Sequence, residues 1–400
     1  MKRYSLALLL IVVLLIGLLS GCGGDKETIK ATQAEAKIGL NLELTGPLAY
    51  YGEGTLNGMT MAVDEINQAG GINGMKINLI VTDNKSDPVR AAYLQNRLLT
   101  RDGAITTVGP STSFNFIETI PAAMENRIPT IASHSTADEV TVDRNGNVYA
   151  YVFRTTFNDS FQGTTMANFA LNNLGARRAV TIEEQNNVYS EGLVRSFTRA
   201  FEEGGGTIAS SKIYQKGDKD FESMLNEIKQ EEYDVIFLPA YFQEAGLIIK
   251  QARDAGITQP ILATDAVDTP VLLEIAGPSA LNNVYLTTDF SSLNTDPKVQ
   301  NFIADFKKKF GTEPISSDAR GYDTAYFIAD AIERTGSLDP QVLTDAYATT
   351  ENFNGVTGTF SMGPEHNPIK SILVIGLVNG VPTTSVEVQP QPQPQPQPQQ

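Results

Sequence analysis

Ile38, Leu40, Leu42 and Leu44 alternate with small or polar residues, the period-two pattern of a strand. Thr45-Gly46-Pro47 is a turn signal, and the loop that follows carries Tyr50 and Tyr51. From about Gly54 the period changes. Leu56, Met59, Val63 and Ile66 share one face of a helix, Gly70-Gly71 ends it, and a second strand opens near Lys76. A strand, a loop, a helix and a strand in succession begin a wound α/β domain.

The pattern repeats. Strands are expected at Ile77–Thr82, Ala104–Val108 and Ile128–Ala132. Between them lie a helix capped by Asp87 ahead of Pro88 and another through Phe116, Ile120, Ala123 and Met124. A second round past Thr155 predicts helices at Phe161–Leu174, Glu191–Glu203 and Tyr241–Ala255, and one through Phe221, Leu225 and Ile228. Its strands fall at Ala179–Ile182, Thr207–Ile213, Val235–Leu238 and Ile261–Ala263. Helices Pro297–Phe310, Ala319–Thr335 and Gln341–Thr349 follow, then strands Gly358–Met362 and Ile369–Val378. Two rounds of one βα pattern predict an α/β protein of two similar lobes, each a doubly wound, mostly parallel sheet.

The two ends carry different signals. Met1-Lys2-Arg3 precedes an apolar run from Leu6 to Leu19, the length of a secretory h-region and short for a membrane span. Residues 1–21 are read as a signal peptide. Leu19-Ser20-Gly21-Cys22 resembles a bacterial lipobox, which makes Cys22 the expected lipidation site and a lipid the expected membrane anchor. The polar stretch 22–35 is read as a tether. Gly23 stands where enteric lipoproteins retained at the inner membrane have Asp. A Gln-Pro repeat runs from Gln389, and residues 387–400 are expected to be a disordered tail.

Composition narrows the function. The 400 residues exceed one typical domain, and the 41% hydrophobic content supports sizeable cores. The formal charge of −16, more negative still once Lys2 and Arg3 leave with the signal, speaks against nucleic acid as a partner. With Cys22 as the single cysteine there is no internal disulfide, and the two histidines, His134 and His366, lie far apart, so no metal site and no cofactor is expected. There is neither a Gly-x-Ser-x-Gly elbow nor a P-loop, and Gly52-x-Gly54 with Gly58 lacks the correctly spaced third glycine of a dinucleotide fingerprint. No catalytic residues are assigned and no enzyme activity is expected.

Open α/β sheets bind ligands at the carboxyl ends of their strands. Three loops there carry chemistry: Ser111-Thr112-Ser113, Ser133-His134-Ser135-Thr136, and the segment ending in Thr264-Asp265. Hydroxyls and amides at a helix start suit a carboxylate, and an acid suits an ammonium, as an α-amino acid requires. The same serines and threonines also serve as helix caps, Asp265 also reads as a surface or capping acid, and the tyrosines also read as partly buried core.

Leu44-Thr45-Gly46-Pro47, Ala49-Tyr50-Tyr51-Gly52, Gly58, Ala62, Ile66-Asn67 and Gly70-Gly71-Ile72-Asn73-Gly74, in that order and spacing, resemble the opening of the periplasmic leucine/isoleucine/valine-binding protein family, type I solute-binding proteins of ABC transporters. The resemblance implies a three-segment hinge, with crossings near Thr155–Asp159, Asp289–Ser292 and Thr357–Phe360. It implies an N-terminal lobe of 36–157 plus 290–358 and a C-terminal lobe of 158–289 plus 359–386. Ser113 matches the family's carboxylate-binding serine and Thr136 its second hydroxyl, with a backbone contact from His134 or Ser135. Asp265 matches the acidic position. Tyr189, in Tyr189-Ser190-Glu191-Gly192, and Tyr241, in Pro239-Ala240-Tyr241, match tyrosines that face the cleft, and Tyr51 would close from the first lobe. His134-Ser135 departs from the small pair usual there, and Phe114 and Phe116 are bulky, so the identity of the amino acid stays open. The implied protein is a monomer with a small-molecule ligand and an ABC permease as partners. The alternative is a ligand sensor for an amide, aromatic or other small organic solute that feeds a receptor.

Overall fold

The computed structural model describes residues 35–390. The signal peptide, Cys22 and the tether up to residue 34 lie outside the described residues, as does the Gln-Pro tail from 391 on.

The first half contains β1 (Ala36–Leu42), α1 (Ala49–Gln68), β2 (Ile77–Asp83), α2 (Pro88–Arg97), β3 (Thr106–Val108), α3 (Ser113–Ile117), α4 (Ile120–Asn126), β4 (Thr130–Ala132) and β5 (Val152–Arg154). These strands form a five-stranded sheet of order β2-β1-β3-β4-β5, parallel throughout. The chain then runs through α5 (Asp159–Asn172), β6 (Arg178–Glu184), α6 (Val188–Glu203), β7 (Thr207–Tyr214), α7 (Glu222–Ile228), β8 (Val235–Phe237), α8 (Phe242–Asp254), β9 (Ile261–Leu262), α9 (Pro270–Ala276) and β10 (Val284–Thr288). Next come α10 (Pro297–Phe310), α11 (Ser316–Thr335), α12 (Pro340–Ala348), β11 (Phe353–Gly355), β12 (Gly358–Met362), β13 (Pro368–Ile369), β14 (Ile372–Val378) and β15 (Val381–Val388). The second sheet has the order β15-β14-β10-β9-β8-β6-β7. Its strands β7, β6, β8, β9 and β10 are parallel, while β14 and β15 add on antiparallel. Both sheets therefore repeat one winding, and each has a switch point, between β1 and β3 and between β6 and β8.

β1 shows why a central parallel strand forms here. Ile38, Leu40 and Leu42 are buried, but so are Gly39 and Asn41 on the other face, because helices cover both sides. Leu40 and Leu42 pack with Met59 of α1, Phe153 of β5, Phe327 and Ile328 of α11 and Tyr347 of α12. A second core gathers Val180, Ile182, Leu225, Ile236, Ile248 and Leu286. At about 1.5–3 kcal/mol for each large side chain buried, these two cores supply the main drive for folding.

α1 and α11 touch through glycine. A Cβ on Gly58 would sit 1.9 Å from the Asp318 carbonyl oxygen, and one on Gly321 would sit 2.4 Å from that of Thr55. The backbones meet because neither residue has a side chain there, and the contact fixes α11 against the helix that carries Tyr51.

Three readings from the sequence change. Tyr50 and Tyr51 lie not in a loop but in the first turn of α1, which starts at Ala49. The third crossing is not at Thr357–Phe360: Phe360 and Met362 of β12 pack into the first core, and the chain enters the second sheet at Ile372. Residues 387 and 388 are not tail but the end of β15, paired with Leu373 and Ile372. Strands β5, β10, β11 and β15 and helix α9 were not anticipated; β5 and β11 are three residues each, too short for periodicity to show.

Candidate functional site

The chemistry-bearing loops all leave carboxyl ends of strands. Ser111–Ser113 follows β3, Ser133–Thr136 follows β4, Tyr189 follows β6, Tyr241 follows β8 and Asp265 follows β9. Tyr51, Ser113, His134, Thr136, Tyr189, Tyr241 and Asp265 line one cavity between the two sheets, together with Ser111, Thr112 and Ala266. Ser135 is not part of that lining; its buried hydroxyl donates to Pro110 O at 2.9 Å. The cavity holds only about 10 Å³, near the space one water needs, so the halves are closed on each other. Tyr51 Oη bridges them by donating to Ala266 O at 2.6 Å, and the Gln243 side chain donates to Pro47 O. A roomier groove of about 830 Å³, lined in part by Glu65, Tyr322 and Tyr326, lies away from these loops.

The wall from the first sheet is made of donors. Glu43, fully buried just past β1, organises it. Its carboxylate accepts Ser111 N at 2.9 Å, Thr112 N at 3.3 Å, Thr112 Oγ1 at 2.9 Å and Asn115 Nδ2 at 2.8 Å. Ser113 Oγ accepts the amides of Thr136 and Ala137, at 3.2 and 3.1 Å, which leaves its own proton to donate. Ser111 Oγ is buried with no partner. The Arg154 guanidinium, buried behind the loop, donates to the carbonyls of Thr136 and Ala137. The hydroxyl protons of Ser111 and Ser113, which these bonds leave free, suit an anionic oxygen.

The wall from the second sheet is aromatic and acidic. Tyr189 and Tyr241 stack, with ring centroids 5.3 Å apart and planes 14° from parallel, and Tyr51 meets the Tyr241 ring at 5.9 Å and the His134 ring edge-on at 5.1 Å. Tyr189 Oη donates to Asp265 Oδ1 at 3.0 Å and lies 2.6 Å from Thr264 Oγ1. Burial pushes the hydroxyls of Tyr51, Tyr189 and Tyr241 well above the usual phenol range, so all three stay protonated.

Asp265 does not stand alone. Arg320, at the start of the second turn of α11 and 1% exposed, places Nη1 3.0 Å from Asp265 Oδ2 and 2.7 Å from His134 Nδ1. Burial and the Arg320 charge hold the His134 imidazole down at about 4, so it is neutral, accepts at Nδ1 and carries its proton on Nε2. Arg320 Nε reaches Asp289 Oδ1 at 2.7 Å, and Lys370 Nζ reaches Asp289 Oδ2 at 2.9 Å. Burial alone would raise the Asp289 carboxyl, but the two cations outweigh it and bring it to about 2. Sequence reasoning missed Arg320, Asp289, Lys370 and Glu43. Arg320 left one signal: in the helix expected from Ala319 it stands in the first turn, where a cation opposes the helix dipole and needs an anion to hold it.

A profile of the periplasmic binding protein family matches residues 35–380. A Leu/Ile/Val-binding protein homolog of Brucella suis is similar over 341 residues at 29% identity, covering 84% of this chain and 88% of the relative. The branched-chain amino acid transporter substrate-binding protein of Streptococcus pneumoniae, solved in complex with isoleucine, superposes with a TM-score of 0.83 at 32% identity, over 89% of this chain and 100% of that one. A leucine-binding protein of Thermotoga maritima gives a TM-score of 0.82 at 32% identity, over 89% of this chain and 99% of that one. The winding of both sheets, the cleft at their facing carboxyl ends and the reach of these likenesses agree: the chain belongs to the periplasmic binding protein family.

Proposed function

We propose that this chain is an extracytoplasmic solute-binding protein that captures a small amino acid, branched-chain or closely related, between its lobes and delivers it to an ABC transporter permease. The observation that carries the reading is the cavity itself: a donor wall around Ser113 faces an acid and two stacked tyrosines across the lobe boundary. The names of the similar proteins point the same way, since they are described as Leu/Ile/Val-binding or are bound to isoleucine. The protein binds rather than transforms its solute, acts as a monomer and is held to a membrane by lipid on Cys22. The lobes are 36–157 with 290–369 and 158–289 with 372–388, and closure is a rotation about the three segments that join them. A sensing role for another small organic solute is the second reading; Arg320 beside Asp265 favours it, because an ammonium does not find that acid free.

Thermal shift and titration calorimetry test the proposal, with amino acids compared against their carboxamides. A ligand that binds only the folded state raises the melting temperature. At least one branched-chain or related amino acid should do so, and its carboxamide should not. If no carboxylate-bearing solute stabilises the protein, the reading fails.

A further inference from the structure

The acid expected to hold a ligand ammonium already has a cation on it. Asp265 Oδ2 accepts from Arg320 and Oδ1 from Tyr189, and each oxygen keeps a lone pair for one more donor. Arg320 is held through two of its three nitrogens: Asp289 takes its Nε, His134 takes Nη1 with Asp265, the Phe157 ring lies 5.1 Å from the guanidinium carbon, and Nη2 is buried without a partner. Lys370 balances Asp289. Two acids and two bases, all buried, sum to no net charge. Asp159 adds little, since burial and the neighbouring Asp138 push its carboxyl well above the usual range. Glu43 is occupied by the amides of Ser111 and Thr112 in the loop after β3. An ammonium brought to Asp265 thus meets a neutralised acid and, within one hydrogen bond of it, a fixed guanidinium, whereas a neutral hydroxyl needs only the spare lone pair. The donor wall that suits the carboxylate does not involve Arg320 at all.

We infer that Arg320 sets the ligand preference of this cleft through Asp265, so that small carboxylates bearing a neutral polar group in place of the ammonium, such as 2-hydroxy acids of amino-acid size, bind at least as tightly as the amino acids themselves. The inference rests on the reading that a carboxylate lies against Ser113. Arg320 acts by positioning and neutralising Asp265, not by touching the cavity, whose lining it does not join.

The test is calorimetric titration of the ligand-stripped full chain with leucine, isoleucine, valine and phenylalanine, each paired with its 2-hydroxy acid, in the wild type, Arg320→Met and Arg320→Lys. In the wild type each hydroxy acid should match or exceed its amino acid. Arg320→Met unmasks Asp265 and should move the ratio of the two dissociation constants toward the amino acid by roughly ten- to a hundred-fold, the scale of one charge-assisted contact. Arg320→Lys keeps the charge and should keep the wild-type order. A purely structural role for Arg320 would weaken both members of a pair alike and leave the ratio unmoved. A wild type that clearly prefers amino acids overturns the inference while leaving the proposed function intact, and it does so whether or not Arg320→Met folds. If neither member of any pair binds, the carboxylate reading falls and the inference with it.

Discussion

Ser113 Oγ accepts the amides of both Thr136 and Ala137, at 3.2 and 3.1 Å. One hydroxyl thereby fastens the loop after β3 to the loop after β4, and its proton remains for a third partner in the cavity. Ser113→Ala removes that donor and leaves two buried amides short of an acceptor. Affinity for a carboxylate ligand should fall by about 1–3 kcal/mol, roughly ten- to a hundred-fold, with a lower melting temperature. Unchanged affinity by calorimetry would place the ligand elsewhere.

Closure joins contacts that neither lobe makes alone. Tyr51 from α1 bonds Ala266 O and packs on Tyr241 and Phe242 of the other half. A ligand that contacts both walls shifts the open–closed balance by its differential affinity for the two forms. The radius of gyration from small-angle scattering should drop on saturation with ligand. Tyr51→Phe, which loses one bridging bond worth about 0.5–1.5 kcal/mol, should weaken binding by roughly ten-fold at most. A radius that stays constant at full occupancy would refute the clamp.

The glycine contact between α1 and α11 makes a sharper structural prediction. In Gly58→Ala the new methyl would lie 1.9 Å from the Asp318 carbonyl oxygen and 2.6 Å from Tyr322 N, both backbone atoms. The helices must part, carrying Tyr51 and Arg320 with them. Overpacking of this kind costs about 1–3 kcal/mol or more, to be read as a fall in the denaturation midpoint together with weaker ligand binding. A variant as stable as the wild type would mean that the helices are less closely held than the backbone distances require.

His134 contributes a pH dependence of definite sign. The unfolded chain takes a proton on His134 as the pH falls through about 6.5, whereas burial and Arg320 hold the folded imidazole neutral down to about 4. Between those values the unfolded state binds more protons, so the His134 contribution is complete above the upper value and is lost as the pH drops toward the lower. Asp318, pushed up to about 7 by burial, slopes the opposite way across much of the same window, because there the folded state holds the extra proton. The histidine is therefore isolated as a difference. Relative to wild type, His134→Gln should gain up to about 3 kcal/mol as the pH falls across that window, measured by urea unfolding at several pH values. Parallel stability curves would show that the folded imidazole titrates normally.

The chain's own pattern determined its winding. Local hydrophobic periods and glycine stops marked two rounds of strand and helix, because a strand buried by helices must be apolar and a helix that covers it must be amphipathic. With the winding known, the loops at strand carboxyl ends were the places to look, and Ser113, Thr136, Tyr189, Tyr241 and Asp265 stand in those loops or on the first residues after them. Short strands such as β5 and β11 escaped, since three residues carry no period. What only the tertiary structure decided is the charge of the cleft. Glu43 meets its amide partners 68 and 69 residues downstream, and Arg320 meets Asp265 55 residues upstream and His134 186 residues upstream. No local signal couples such positions. Whether an acid at a strand end is a free anion or half of a buried ion pair depends on which side chain the packing of α1 on α11 delivers to it. At Asp265 that side chain is Arg320, brought into place by the close glycine contact of two helices that lie more than two hundred residues apart in the chain.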